Sequence, residues 1–383
     1  MFKRKAIFSI LLLLIISACG KGTNVAGPTA APGSSTAQNP IPTEKFTNLS
    51  TVSSVVVGDS TGAIGIHNAE IYYTDTFNGM GSLDISNPPQ ISKTPPLISS
   101  AMLDTYDNFY GLLFFKNILA LSVVPGCYGW CMVNFPGPAE LRLYDMSVPA
   151  KPQYLTKLSF YPSSVAFDNN ILYVTSIDEN IKSHLYAIDV SNPASPVTLS
   201  ATPISAPGYV IKQANLIYIS EFRYDDNDTN KFKQIQIIDV SDVAKPVVEN
   251  TFSNAWINVN YSPILMNNDI LYILDVGGLN LVNLHDPMNP VFMKTIPIGY
   301  AATSFSMYNG KLYIAAGDAG VMVFNIEKPD DPRFIKSMKS DTAALSVTVS
   351  DGVGVYLTDQ LKQYNSIGYS ILRGKKINLF YDK

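Results

Sequence analysis

Asp225-Asp226-Asn227-Asp228-Thr229-Asn230 is an acidic run, in which Asp226, Asp228 and Asn230 have the alternate-residue spacing of a calcium loop's oxygen ligands. Lys231, however, stands where such a loop needs glycine for its sharp turn, and Ile237 stands where it needs a bidentate Glu. The segment reads as a solvated turn, with calcium binding as the alternative. Cys127-Tyr128-Gly129-Trp130-Cys131 brings two thiols close together. Two thiolates make only half of a tetrahedral metal site, and in an oxidising compartment a small-loop disulfide is expected. Its tip either presents Tyr128 and Trp130, aromatics of the kind favoured at recognition surfaces, or folds them onto the sheet below. Asp84, Asp145, Asp189 and Asp239 recur along the chain and could in principle form a ring of cation-binding carboxylates. Each closes an apolar segment before a turn containing Ser or Pro, where Asp accepts backbone N–H bonds, so a structural use is expected. His67, His184 and His285 have no ligand spacing. No catalytic residue, metal or cofactor is assigned.

Gly58-Asp59-Ser60-Thr61-Gly62 fits G-x-S-x-G and also the Gly-Asp-Ser start of the SGNH hydrolases. A nucleophile elbow requires a helix after the serine, and none is expected here. Those hydrolases also need a Gly-x-Asn-Asp segment and an Asp three residues before a His. The first is absent, and Ile64, Ile181 and Val282 occupy the second position. The segment is read as a turn.

The elements that would position these groups follow from composition and pattern. Of 383 residues, 46% are hydrophobic, 11% aromatic and 15% charged, with 22 Tyr, 25 Pro and 24 Gly. A soluble domain averages about 25% charged residues, so the balance suits a turn-rich β protein and opposes disorder. A net charge of −4 opposes nucleic-acid binding, which needs clustered Lys and Arg. The three cysteines are too few for a disulfide scaffold.

Lys3, Arg4 and Lys5 precede an apolar run from Ala6 to Ile16 and then small residues. That run is too short to span a bilayer, which needs about 20 apolar residues, and reads as a secretory signal over 1–18. Ile16-Ser17-Ala18-Cys19 resembles the lipobox of bacterial lipoproteins. The resemblance implies cleavage before Cys19 and its acylation, hence a membrane anchor. In a Gram-negative cell, Gly20 rather than Asp after the cysteine implies the outer membrane, by analogy with lipoprotein sorting. Residues 19–49 are rich in Gly, Pro, Ser, Thr and Ala without apolar periodicity, and form a tether of roughly 30 Å root-mean-square reach.

From residue 50 to 383 one pattern repeats. An apolar strand leads into a Leu-Tyr-Ile type strand: Ile71-Tyr72-Tyr73, Leu119-Ala120-Leu121, Leu172-Tyr173-Val174, Ile217-Tyr218-Ile219, Leu271-Tyr272-Ile273, Leu312-Tyr313-Ile314 and Val355-Tyr356-Leu357. A third strand ends in Asp or Asn at Asp84, Asp145, Asp189, Asp239, Asn283 and Asn325, with Tyr364-Asn365 read as a degraded seventh copy. A Pro-started strand follows. Four short strands per unit of roughly 42–50 residues is the period of a propeller blade. The fold expected is all-β, a β-propeller of seven four-stranded blades. Val55-Val56-Val57 is expected to close the ring beside Ile367–Leu372 or Ile377–Tyr381. Differences in unit length fall between the second and third strands, so the extra residues enter one hairpin on one face.

These units, best seen in Ser183 to Pro196, resemble the LVIVD-repeat family of bacterial and archaeal surface proteins. That resemblance implies a propeller in the cell envelope and no defined reaction. The function expected is a non-enzymatic binding module whose partner is an envelope or surface protein or a glycan, with 123–139 and 221–233 as the surfaces to test. An envelope hydrolase or dehydrogenase, or a structural spacer in an envelope complex, are the alternatives.

Overall fold

In a computed structural model the chain is all β, and the residues described are 51–57, 61–68, 70–75, 79–87, 90–94, 96–99, 108–124, 139–159, 161–178, 182–224, 231–253, 263–275, 277–298, 302–350, 352–359 and 375–382. Seven antiparallel sheets form the blades of a ring. Blade 1 holds Thr61–His67, Glu70–Asp75, Gly79–Asn87 and Gln90–Lys93, with the short Ile98–Ser99 also paired to its third strand. Blade 2 holds Asn108–Phe115, Ile118–Val124, Glu140–Asp145 and Gln153–Ser159. Blade 3 holds Tyr161–Asp168, Ile171–Ile177, Ser183–Asp189 and Val197–Pro203. Blade 4 holds Gly208–Gln213, Leu216–Tyr224, Lys231–Asp239 and Val247–Ser253. Blade 5 holds Ile264–Asn267, Ile270–Asp275, Gly278–Asn283 and Val291–Ile296. Blade 6 holds Ser304–Tyr308, Lys311–Ala315, Val321–Asn325 and Arg333–Met338.

Blade 7 joins the two ends of the chain. Ala344–Ser350, Val353–Asp359 and Lys375–Tyr381 are followed outwards by Thr51–Val57, antiparallel to Lys375–Tyr381 with Val55 opposite Ile377. The second of the two pairings expected for Val55-Val56-Val57 is the one formed. It covers an edge that would otherwise present a row of unpaired backbone groups.

Seven apolar clusters lie between neighbouring blades, one at each interface around the ring. Along the second strands, side chains alternate between the two neighbours because a strand has period two. Leu271 and Ile273 pack toward blade 4, whereas Tyr272 and Leu274 pack toward blade 6. The recurrent tyrosines Tyr72, Tyr173, Tyr218, Tyr272 and Tyr313 are all buried in this way. A fully buried Leu, Ile or Phe contributes about 1.5–3 kcal/mol, so the ring's stability is spread over every interface.

Blade 7 corrects two expectations. Its third strand is Lys375–Tyr381, so Tyr381 occupies the position of the repeated acid, and Tyr364-Asn365 lies outside the described residues. Its second strand is also displaced by one residue from the alignment by tyrosine. Val353 pairs with Ser350 and Tyr381 as Ile171 pairs with Asp168 and Asp189, which puts Val355, not Tyr356, in the place of Tyr173. One residue of slip turns a side chain to the opposite face. Tyr356 accordingly packs toward blade 6 with Tyr313 and Phe380. Gly354 stands where other blades carry Leu119, Leu172 or Leu312, and the Phe380 ring fills that space, 2.1 Å from where a Cβ on Gly354 would lie.

Candidate functional site

The two faces of the ring are built differently. On one, hairpins join the first strand to the second, and the acid-bearing turns join the third to the outermost. On the other lie the second-to-third connections and the crossings between blades. We term these the turn face and the insertion face.

Turn-face hairpins need positive φ, which Asn68, Asn169, Asn268 and Asn309 supply at 50°, 48°, 51° and 48°, and Lys116 and Ala214 supply in blades 2 and 4 at 50° and 48°. Asparagine tolerates the left-handed region better than other L residues, and such turns match the twist of paired strands. Neighbouring blades are tied across this face. Lys116 donates to Asn170, Lys212 pairs with Asp168 at 2.5 Å, and the Gln213 amide donates to the Asn268 carbonyl at 2.9 Å.

Three of the four repeated acids cap turns, as expected, whereas Asp84 lies within Gly79–Asn87, paired with Ser92, and does not close its strand. Asp145, Asp189 and Asp239 accept the backbone N–H of Ser147, Ser191 and Ser241 at 2.8, 2.7 and 2.7 Å. The Ser147 and Ser241 hydroxyls add bonds of 2.6 Å to the same oxygens. Hydrogen bonds from these serines hold the three carboxyls below the ordinary carboxylate range. Asn283 and Asn325 do the same work without charge, accepting from His285 N at 2.8 Å and Glu327 N at 2.9 Å. Among the described residues, no group of three or more His, Cys, Asp or Glu could hold a metal ion. The histidines lie in three blades: His67 stacks on Phe114 at 4.7 Å, His184 lies 4.0 Å from Asp178, and His285 lies 3.1 Å from Asp269.

The innermost strands face the ring axis with an edge that has no further strand beside it. Serines of one blade reach across to the next: Ser164 Oγ accepts from Val210 N at 3.1 Å, and Ser304 and Ser306 accept from Val347 N and Val349 N at 3.3 and 3.1 Å. Tyr209, on the innermost strand of blade 4, is 38% exposed. The second-strand tyrosines are packing residues. Tyr72 donates to Glu70 at 2.7 Å and Tyr272 to the Pro329 carbonyl at 2.7 Å, while burial pushes Tyr173 and Tyr272 up to about 12.

The insertion face carries buried polar groups at the bases of its connections. Asp275 accepts from Gly277 N at 2.6 Å, Gly278 N at 3.1 Å and the Asn280 amide at 2.8 Å. Glu221 accepts from Gln234 at 2.5 Å and from Ala206 N at 3.3 Å. Glu140, where the third strand of blade 2 begins, is bonded to Arg142 at 2.8 Å and Lys157 at 2.5 Å. Burial raises its pKa, but the two cations outweigh that and leave it below the ordinary value. Glu140 and Glu221 lie on the strands that flank the connections 125–138 and 225–230, and Asp275 ends the second strand of blade 5.

Cys19, Cys127, Tyr128, Trp130, Cys131, Asp226, Asp228 and Asn230 lie outside the described residues, as do Gly58, Asp59 and Ser60. The register of strands does place both named connections on the insertion face, between Val123 and Glu140 and between Tyr224 and Lys231. Extra length therefore enters on one face, as expected.

One feature escaped sequence reasoning. Lys311 and Asp382 form a buried ion pair, with only 4% and 1% of their side-chain surfaces exposed. Lys311 takes the position held by Ile171, Leu216 and Ile270 in other blades, and Asp382 that held by Val190, Val240 and Leu284. Each of the latter donates its N–H to a hairpin carbonyl, and Asp382 does so to Gly352 at 2.9 Å. The Tyr313 hydroxyl is pushed up by burial and by Asp382. A pair of charges thus replaces an apolar contact between blade 6 and the blade that closes the ring.

No family model matches the chain, and no curated protein matches it in sequence. Solved structures do match in fold. A chain of the mitotic checkpoint complex has a TM-score of 0.56 at 10% identity, covering 94% of this chain and 99% of that one. The WD40 repeats of RRP9 reach 0.51 at 11% identity, over 87% and 94% of the two chains. The computationally designed Ika8 protein reaches 0.51 at 10% identity, over 87% and 100%. At such identities the likeness is one of architecture, and it is that of a β-propeller.

Proposed function

We propose that this β-propeller is a lipid-anchored binding module of the cell envelope, in the manner of the LVIVD-repeat proteins, and that its partner is a protein bound through the insertion face. Residues 1–18 serve as signal peptide, Cys19 carries the acyl chains, and residues 19–49 link anchor to ring. The observation that carries the binding role is the confinement of the long connections to one face of an otherwise regular scaffold. Loops held by a rigid frame are where recognition usually resides, because they vary without cost to the core. The neighbour from the mitotic checkpoint complex is by its name part of a multiprotein assembly, which supports a protein partner. Tyr128 and Trp130, between Cys127 and Cys131, are the residues we assign to contact.

Affinity capture from envelope extracts tests this reading, using the whole chain with residues 123–139 intact or replaced by a short turn. A specific partner lost with the loop is the expected result. Capture that ignores both 123–139 and 221–233 would overturn it, and turnover or a copurifying cofactor would replace it with an enzyme. Cys19→Ser should release the protein into the soluble fraction.

A further inference from the structure

The direction of the closing strand decides how an anchored ring is mounted. Lys375–Tyr381 runs from the insertion face to the turn face, ending at Asp382 beside Gly352. Thr51–Val57 is antiparallel to it, with Thr51 opposite Phe380 and Val57 opposite Lys375. Thr51 therefore lies on the turn face and Val57 on the insertion face. In blades 2 to 6 the outermost strand also starts on the turn face, but there it is fed by the chain's own preceding turn, such as Asn192 to Ser195. In blade 7 it is fed by the chain arriving from residue 50. Whatever precedes the ring thus reaches it on the turn face.

We propose that the propeller is mounted with its turn face toward the membrane and its insertion face away, so that partners approach from the side opposite the anchor. This rests on the acylation of Cys19 advanced above. The tether, of roughly 30 Å root-mean-square reach, would have to fold back over the rim to present the other face to the bilayer. That costs chain entropy and gains no contact.

The test uses the full chain purified from membranes and placed in phosphatidylethanolamine–phosphatidylglycerol vesicles containing a headgroup quencher. A genetically encoded fluorescent residue replaces either Ser195, exposed on the turn face, or Lys339, exposed on the insertion face. Both variants must keep the parent melting temperature. Quencher lipid should remove more fluorescence from position 195 than from position 339. Equal or reversed losses in an acylated chain would overturn the mounting while leaving the anchor in place. Mass analysis showing Cys19 unmodified would overturn the anchor and the mounting together.

Discussion

The turn face and the insertion face belong to the same strands yet obey different constraints. The turn face solves two local problems repeatedly: two-residue hairpins between first and second strands, mostly with Asn at positive φ, and longer turns into the outermost strand, where Asp or Asn accepts the N–H two residues on. Bonds from one hairpin to the next then tie blade to blade. On the insertion face the strand ends are pinned by buried groups that differ from blade to blade: Asp275 in one, Glu221 in another, Glu140 with Arg142 in a third. A repeated architecture can leave one face free to diverge once the other carries the regular fastening.

The sharpest break in this comparison is at the ring's closure. Deleting residues 51–57 should abolish cooperative thermal unfolding and drive aggregation, because it bares the edge of Lys375–Tyr381. An unchanged melting curve would refute closure by this strand. Next comes the buried pair that fastens blade 6 to blade 7. Lys311→Met leaves Asp382 as a buried charge and should cost about 3–5 kcal/mol in denaturant unfolding. Lys311→Ile with Asp382→Val recreates the apolar contact of the other interfaces and should recover most of that loss. If the double variant is no better than either single one, the pair does more than replace an apolar contact.

Smaller effects sharpen the turn face. Asp189→Ala should lower the melting temperature, whereas Asp189→Asn should leave it nearly unchanged, since Asn283 and Asn325 already cap equivalent turns. The carboxyls of Asp145, Asp189 and Asp239 have depressed folded-state pKa values. Their contribution is therefore present above the unfolded carboxylate value of about 3.9 and lost as pH falls through the lower folded values. Changing all three to Asn should flatten the acid limb of a stability profile between pH 5 and 2. Smallest of all, replacing 125–138 by Asn-Gly should shift the melting temperature little and upward, because a sevenfold shortening lowers the loop-closure cost by only about 1.7 kcal/mol, yet it should remove partner capture. A large loss of stability would make that insertion part of the core.

The strands of blades 3 to 6 could be read directly, since Leu172-Tyr173-Val174 and its copies announce a strand buried on both sides and Asp189 or Asn283 announces where the next one ends. Blade 7 resisted the same reading. Its landmark tyrosine moved one place when Gly354 yielded its space to Phe380, and residues 360–374 separate its second and third strands. The positions named for recognition were legible as types and spacing. Their face was legible only through the pairing of the strands that flank them.

What the amino-acid sequence determined by itself is therefore what depends on near neighbours: apolar alternation, turn chemistry and the number of repeating units. The register of blade 7, the Lys311–Asp382 pair and the face on which the chain joins the ring were decided only by the tertiary structure. Each depends on strands far apart along the chain meeting edge to edge. A backbone period of two cannot distinguish one such pairing from its neighbour until side chains such as Phe380 and Asp382 fill particular spaces.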